Sequence, residues 1–253
     1  MKGAVLASFR RMNSIKQAII TLGGKGSRLE SITKGMPKPL YLIHGISTLE
    51  RAIIVLKNQG VTKFIFFIIF KSELFEKYSI KLSKKYGIKI ETVLENKPKG
   101  EAGSIFDCIP SLDQEFLFVH GDIIFDIDLK KFQNYHFIKN SDITIMTHLT
   151  NHPQDSDCII ESPSLSIAEY KLKNNFKSKN SFFLGNAGIA IISKEVIISL
   201  KNEKVFSTKE ISLFGDIVIN SLKTNFQIFS YNTSEYLKDM GTPTRLKNVK
   251  EDL

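Results

Sequence analysis

The segment from Leu22 to Leu40, LGGKGSRLESITKGMPKPL, gathers residues suited to holding a polyphosphate. Gly23, Gly24 and Gly26 follow directly on an apolar stretch of β-type residues. Glycines in such a turn expose backbone N–H groups without a Cβ in the way, so phosphate oxygens can approach the main chain closely. Arg28 and Lys38 add fixed positive charge, which suits the negative charge that builds when an α-phosphate is attacked. Pro37 and Pro39 flank Lys38 and clamp its position. Two other phosphate loops are excluded: the order Lys25-Gly26-Ser27 breaks the Walker A pattern, and the glycine spacing differs from GxGxxG.

These side chains need a frame, and the pattern supplies one. Apolar β-type segments alternate with segments of helical period, the mark of an α/β chain with a mostly parallel sheet. Strands are expected at 16–22, 63–70, 89–95, 115–122, 142–148, 186–193 and 227–232. Helices are expected at 47–60, 71–87, from about 102 to 109, at 209–222 and from Thr242 onward. STLERAIIVLKNQG (47–60) is the clearest helix, with a Ser N-cap, Glu50 three residues on and a closing Gly. The stretch at 171–181 reads as a polar loop. EFLFVHGD ends in Gly121-Asp122, and ligands collect at the carboxyl ends of strands in an open parallel sheet, which marks Asp122 as a site residue.

The chain has 253 residues, 42% of them hydrophobic and 24% charged, enough for a substantial core. Residues 15–253 are expected to form one domain behind a flexible extension at 1–14. The net charge of +9 is scattered, with no block of five like charges and no nucleic-acid motif, so no nucleic-acid partner is expected. Cys108 and Cys158 lack the spacing of a zinc site or a disulfide framework, which points to a reducing, cytoplasmic location. KFIFFIIF (63–70) is far short of the roughly 18–20 apolar residues that span a bilayer, so it reads as a buried strand and no membrane partner is expected.

The Leu22–Leu40 segment resembles the signature GGxGTRLxxxTxxxPKPL of the sugar-1-phosphate nucleotidyltransferases. Gly23, Gly24, Gly26, Arg28, Leu29, Thr33, Pro37, Lys38, Pro39 and Leu40 fall in register, with Ser27 in place of the usual Thr. Further matches follow in order: Gly100, Ala102 and Gly103; Gly121-Asp122; Asn186-Ala187-Gly188; and YLKDMGTPTRL at 236–246. The resemblance covers about residues 15–253. It implies a Rossmann-like three-layer sandwich with a mixed, mainly parallel central sheet, the glycosyltransferase-A-like nucleotidyltransferase fold.

The resemblance also implies roles. Arg28 and Lys38 are the catalytic cations; Leu22, Gly23, Gly24, Gly26, Ser27 and Gly103 bind the nucleotide; Asn186 and Gly188 contact the sugar; Asp122 and Asp239 hold Mg2+. A pair between Lys238 and Asp239 is the structural alternative for the second carboxylate. The lysine that grips the sugar phosphate is aligned to Lys173, with Lys171 as the rival, because the expected Lys-Pro pair is missing. The substrates are a nucleoside triphosphate and a sugar 1-phosphate, joined to an NDP-sugar with release of pyrophosphate. The sequence leaves a homo-oligomer open.

The stretch at 148–161, the NAG motif and the C-terminal segment resemble the branch that makes GDP-activated D-glycero-D-manno-heptose. His152, Pro153, Asp155, Ser156 and Asp157 are its distinguishing residues, though they also suit a polar, Pro-bent loop. GTP and heptose 1-phosphate are therefore the expected substrates. The alternatives are another phosphorylated acceptor with dTTP, UTP or CTP, and a catalytically silent NDP-sugar-binding module.

Overall fold

A computed structural model describes residues 14–23, 29–95, 97–150, 156–173, 183–203, 206 and 210–253. The elements in chain order are β1 (Gln17–Thr21), α1 (Glu30–Thr33), β2 (Leu42–Ile43), β3 (Ile46–Ser47), α2 (Thr48–Asn58), β4 (Lys63–Ile68), α3 (Ser72–Tyr86) and β5 (Lys89–Leu94). They continue with β6 (Glu115–His120), β7 (Ile123–Asp126), α4 (Leu129–Ile138), β8 (Ile143–Thr150), β9 (Cys158–Glu161), β10 (Ile167–Lys171) and β11 (Phe183–Ser193). The last are α5 (Lys194–Leu200), α6 (Ile219–Ser221), β12 (Ile228–Asn232), β13 (Tyr236–Asp239) and α7 (Pro243–Asp252).

Nine of these strands form one sheet. Strands β5, β4, β1 and β6 run parallel side by side; β11 is antiparallel to β6, β8 and β9; β12 is parallel to β8; and β10 is antiparallel to β9. Seven of the nine therefore point one way, all but β10 and β11, which is the mixed, mainly parallel sheet expected.

Both faces of the central strands are covered, and this explains their composition. In β4, Phe64, Phe66 and Ile68 enter one core with α2, α3 and α4, while Ile65 and Phe67 enter a second core with α5 and the π-helical turn Leu213–Val218. A strand buried on both sides reads as a continuous apolar run rather than an alternating one. Each fully buried Phe or Ile contributes about 1.5–3 kcal/mol relative to exposure. Helix α2 is capped as its sequence requires, with the Ser47 hydroxyl accepting from the Glu50 N–H at 3.1 Å.

Some expected elements differ. In place of one helix from 102 to 109 there are two 3-10 turns, Gly103–Phe106 and Ile109–Ser111. The buried Glu95 carboxylate pins this segment by accepting from the Lys99 N–H at 2.9 Å and the Ser104 hydroxyl at 2.6 Å, and Pro110 interrupts it. The helix expected at 209–222 begins only at Leu213, where the Ser212 hydroxyl caps it by accepting from the Gly215 N–H at 3.1 Å. Both cysteines are buried free thiols. Among the described residues no helix is long and apolar enough to cross a membrane.

Candidate active site

A cleft of about 590 Å³ opens at the carboxyl edge of the parallel strands, lined by Thr21 and Gly23 after β1, Lys38 and Pro39, and His120 to Asp122 after β6, with Glu101 and Glu210 among the further residues. The strand order places it there: β6 and β1 are neighbours, with Thr21 opposite His120, so the chain segments that follow them emerge side by side. Gly121 makes the approach close, its N–H donating to the Thr21 carbonyl at 3.0 Å. A Cβ at Gly121 would lie 2.3 Å from that same carbonyl oxygen and 2.9 Å from Leu22 Cδ2. Gly121→Ala is therefore expected to destabilise the fold by roughly 3 kcal/mol, because backbone in the central strands must shift to accept the methyl. Chemical denaturation of both proteins checks this.

Lys38 sits in a 3-10 turn over Lys38–Leu40, started by Pro37 and rigidified by Pro39. The Leu40 N–H donates to the Pro37 carbonyl at 2.9 Å and the Tyr41 N–H to the Lys38 carbonyl at 3.1 Å. Only 8% of Lys38 is exposed, and its ammonium lies 3.8 Å from Asp122 Oδ2.

Asp122 and Asp239, separated by 116 intervening residues, are brought together by the antiparallel ribbon of β7 and β13. Asp239 pairs with Ile123, and the Met240 N–H donates to the Asp122 carbonyl at 3.2 Å, so the two acids occupy adjoining rungs. Both carboxylates face solvent in part, at 40% and 42% exposure. Asp239 accepts from the Gly241 N–H at 2.7 Å and from Arg245 Nη1, which lies 3.0 Å from Oδ2. The pair expected as the alternative, Lys238 with Asp239, does not form. Neighbouring residues of a strand project to opposite faces, and the Lys238 ammonium reaches Asp252 at 2.6 Å instead.

A second charged pair lines the cleft. His120 Nε2 lies 3.1 Å from Glu101 Oε2, with both side chains about 30% exposed or less. Glu101 Oε1 accepts from the Ser212 hydroxyl at 3.0 Å and the Leu213 N–H at 2.9 Å. Burial alone would lower the His120 pKa, but the Glu101 carboxylate outweighs it and raises the imidazole to about 9. Burial alone would raise Glu101, but the His120 charge and the two donors bring it down to about 2. The raised histidine stabilises the fold fully below pH 6.5 and loses that contribution as pH climbs through about 9; the lowered carboxylate keeps its contribution above pH 4.5 and loses it as pH falls towards 2. We expect the unfolding free energy to drop by on the order of 2 kcal/mol between pH 6.5 and 9.5, and this drop to vanish in Glu101→Gln. Denaturant titrations at the two pH values check it.

On the far side of His120, the Asn186-Ala187-Gly188 turn interrupts the pairing of β11 with β8. The Asn186 side chain is held at both ends: its carbonyl accepts from the Gly188 N–H at 2.9 Å, and its amide donates to the Tyr170 hydroxyl at 3.0 Å. The Tyr170 hydroxyl in turn donates to Asp157 Oδ2 at 2.9 Å, and burial together with Asp157 pushes its pKa far up, so it stays a neutral phenol.

The residues singled out from sequence thus divide. Gly23, Lys38 and Asp122 line the cleft, Asp239 adjoins Asp122, and Asn186 and Gly188 lie beyond His120. Leu22 is 2% exposed and its side chain belongs to the core, so only its main chain is left for a ligand. Gly103 is buried at the start of its 3-10 turn, where a Cβ would meet Lys99 Cβ at 2.5 Å. Lys173 has an exposed side chain and a backbone N–H that donates to Asp157 Oδ1 at 2.8 Å, while its rival Lys171 lies 3.4 Å from Glu169. Gly24, Gly26, Ser27 and Arg28 lie outside the described residues, as do His152, Pro153 and Asp155. Sequence reasoning passed over Glu101, His120, Tyr170 and Arg245. Glu101 and His120 stood inside or beside motifs that were read for their other residues, Gly100 to Gly103 and Gly121-Asp122.

A three-layer α/β sheet with a glycine-rich segment after its first strand and a lysine and two acids around one cleft is the frame of an enzyme acting on phosphorylated ligands. Residues 17–158 match the family model described as nucleotidyl transferase, and the chain belongs to that family. It is similar to D-glycero-alpha-D-manno-heptose 1-phosphate guanylyltransferase of Campylobacter jejuni, 31% identical over 90% of this chain and 95% of that enzyme. It is also similar to mannose-1-phosphate guanyltransferase of Saccharomyces cerevisiae, 26% identical over 90% of this chain and 62% of that one. Among solved structures, HddC from Yersinia pseudotuberculosis superposes with a TM-score of 0.77 at 23% identity, over 94% of this chain and 99% of that chain, and so shares the fold. The chain is a sugar-1-phosphate nucleotidyltransferase.

Proposed function

We propose that the chain transfers GMP from GTP to D-glycero-α-D-manno-heptose 1-phosphate, releasing pyrophosphate. The observation that carries this reading is the 31% identity to the Campylobacter jejuni heptose 1-phosphate guanylyltransferase across 95% of that enzyme. A second heptose 1-phosphate guanylyltransferase, from Aneurinibacillus thermoaerophilus, supports it at 26% identity over 98% of its length. The similarity to mannose-1-phosphate guanyltransferases favours mannose 1-phosphate as the second reading, with the same nucleotide.

The phosphate oxygen of the acceptor is already anionic at neutral pH and can attack the α-phosphorus directly, so no covalent nucleophile is needed. The oxygen–phosphorus bond forms as the bond to pyrophosphate breaks, and catalysis consists of positioning and charge stabilisation. In this reading Lys38 neutralises charge on the phosphates, Gly23, Gly24 and Gly26 offer backbone N–H groups with Ser27 beside them, and Arg28 stabilises the pentacoordinate phosphorus and the leaving pyrophosphate. Asn186 and Gly188 face the sugar, with Lys173 near its phosphate.

Asp122 and Asp239 fit Mg2+. They are hard oxygen donors on adjoining rungs, each partly open to solvent, and magnesium takes one or two carboxylates together with substrate phosphates and water. When bound, the ion would supply charge neutralisation and orientation to the phosphates. Asp239 would have to release Arg245 in part to serve as a ligand.

The test is pyrophosphate release with magnesium, offering GTP, CTP, UTP, ATP and dTTP against a panel of sugar 1-phosphates that includes the heptose and mannose compounds. Release requiring GTP and the heptose phosphate supports the reading. Preference for mannose 1-phosphate moves it to the second reading, and release with another nucleotide discards the guanylyl assignment.

A further inference from the structure

The Glu101 carboxylate, 3.1 Å from His120 Nε2, is anchored through its own loop. Besides the bonds from Ser212 and Leu213, the loop carrying Glu101 is pinned on both sides to Ile211, which directly precedes them in the chain. The Ile211 N–H donates to the Lys99 carbonyl at 2.7 Å, and the Ala102 N–H donates to the Ile211 carbonyl at 3.0 Å. Gly100, in the left-handed region at φ +83, permits this approach, since a Cβ there would lie 2.3 Å from the Ile211 oxygen.

From this anchor the imidazole meets the Gly188 end of the Asn186–Gly188 turn directly and its Asn186 end through Phe214 and Tyr170. Its Nδ1 lies on Gly188, where a Cβ would come within 2.9 Å of it, and Gly188 takes φ +74, so glycine satisfies two demands at once. Its edge packs on Phe214, with ring centroids 5.4 Å apart and planes at 84°. Phe214 stacks on Tyr170 at 6.2 Å and 10°, and the Tyr170 hydroxyl receives the Asn186 amide. On its other flank, His120 is followed at once by Gly121 and Asp122. The ring therefore stands between the turn and the acid, coupled to one by packing and to the other by two covalent steps.

A partly buried ion pair is weak evidence for stability, because well-packed apolar residues often serve as well. Its placement in a cleft wall, with Glu101 Oε1 held by two donors and Oε2 turned to the imidazole, fits a geometric task instead. We infer that Glu101 and His120 are acceptor-positioning residues: the pair fixes the Asn186–Gly188 turn relative to Asp122, so that the sugar phosphate meets a preset surface. The inference rests on the proposed reading that the Asn186–Gly188 turn receives the sugar.

The experiment is steady-state kinetics on Glu101→Gln and His120→Asn, varying the sugar phosphate at saturating nucleotide and the reverse, near pH 6.5. Glu101→Gln keeps an acceptor for Ser212 and Leu213 and the side-chain volume. The expected result is a rise of about tenfold in KM for the sugar phosphate, with KM for the nucleotide within about twofold and kcat within about threefold. An unchanged acceptor KM in folded variants overturns the inference, and so does an equal rise in both KM values, which is what general loosening of the cleft produces. If both variants fail to fold, Tyr170→Phe reads the same connection by deleting one oxygen: about a threefold rise in acceptor KM alone supports the inference, and none overturns it. Turnover by the unaltered protein separates the two levels. Its absence with every substrate pair sinks the functional reading and the inference with it, whereas turnover with insensitive variants sinks the inference only.

Discussion

Asp122→Asn is expected to lower turnover by about three orders of magnitude while leaving the fold in place, a barrier increase of roughly 4 kcal/mol. The exchange keeps size and shape, and the backbone carbonyl that accepts from Met240 is untouched, so the β7–β13 ribbon stays paired. What disappears is a formal negative charge at the carboxyl end of β6, 40% exposed and set beside Asp239. A neutral amide offers a divalent cation far less than a carboxylate does, and on the proposed reading the loss would fall on the step in which charge is redistributed over the phosphates. Pyrophosphate release, the melting temperature and Mn2+ binding by titration together check the claim. Full activity in the variant would remove Asp122 from the mechanism. Asp239→Asn should act in the same direction, with a larger structural cost, because Arg245 would lose a charged partner at 3.0 Å.

The elements that sequence revealed are those whose signals are local. Helix α2 is written in a cap, a reciprocal Glu and a run of apolar residues at helical spacing, and each of these lies within a few positions of the others. Strand β4 is written in its uninterrupted apolar run, because α/β burial on both faces leaves no polar alternation to blur it. The β9–β10 hairpin escaped notice for the opposite reason. CIIE and IAEYK are short, stand near the sheet edge and mix polar with apolar residues around a serine-rich turn, so neither carries a pattern strong enough to separate it from a loop.

The site divides along the same line. Gly23, Lys38 and Asp122 were legible because glycine, proline-flanked lysine and a strand-end acid each announce a backbone or charge requirement in their own neighbourhood. The partnership of Glu101 with His120 was not, since it depends on Gly100 letting one loop lie against Ile211 and on the parallel pairing of β6 with β1 presenting the ring. Arg245 and Asp239 both lie inside the 236–246 segment, but their pairing depends on how Met240-Gly241-Thr242 turns α7 back beside β13, which the residue types alone do not announce. Residues adjacent in sequence even mislead, as with Lys238, whose position in a strand turns it away from the acid next to it.

Lys38→Met is expected to reduce kcat by about 100- to 1000-fold, the range found when a single preorganised charge-stabilising donor is removed from a transition state. Lysine is rarely this buried without a task, and here 8% exposure is enforced by a turn whose two prolines leave the backbone little freedom. Methionine preserves most of the unbranched stem, so packing against the cleft wall survives and the change reports on the ammonium. The Asp122 carboxylate, 3.8 Å away, would also lose a counter-charge, which should strengthen its hold on a divalent cation in the absence of substrate. A fall in kcat together with unchanged or tighter Mn2+ binding is thus the joint signature expected of Lys38. Parallel losses of kcat and metal binding would mean that Lys38 organises the acid and not the phosphates. Lys38→Arg should rescue poorly, because the enclosed turn was shaped around a compact ammonium and a planar guanidinium needs a wider slot. Restoration of wild-type kcat by arginine would show that charge alone suffices at this position.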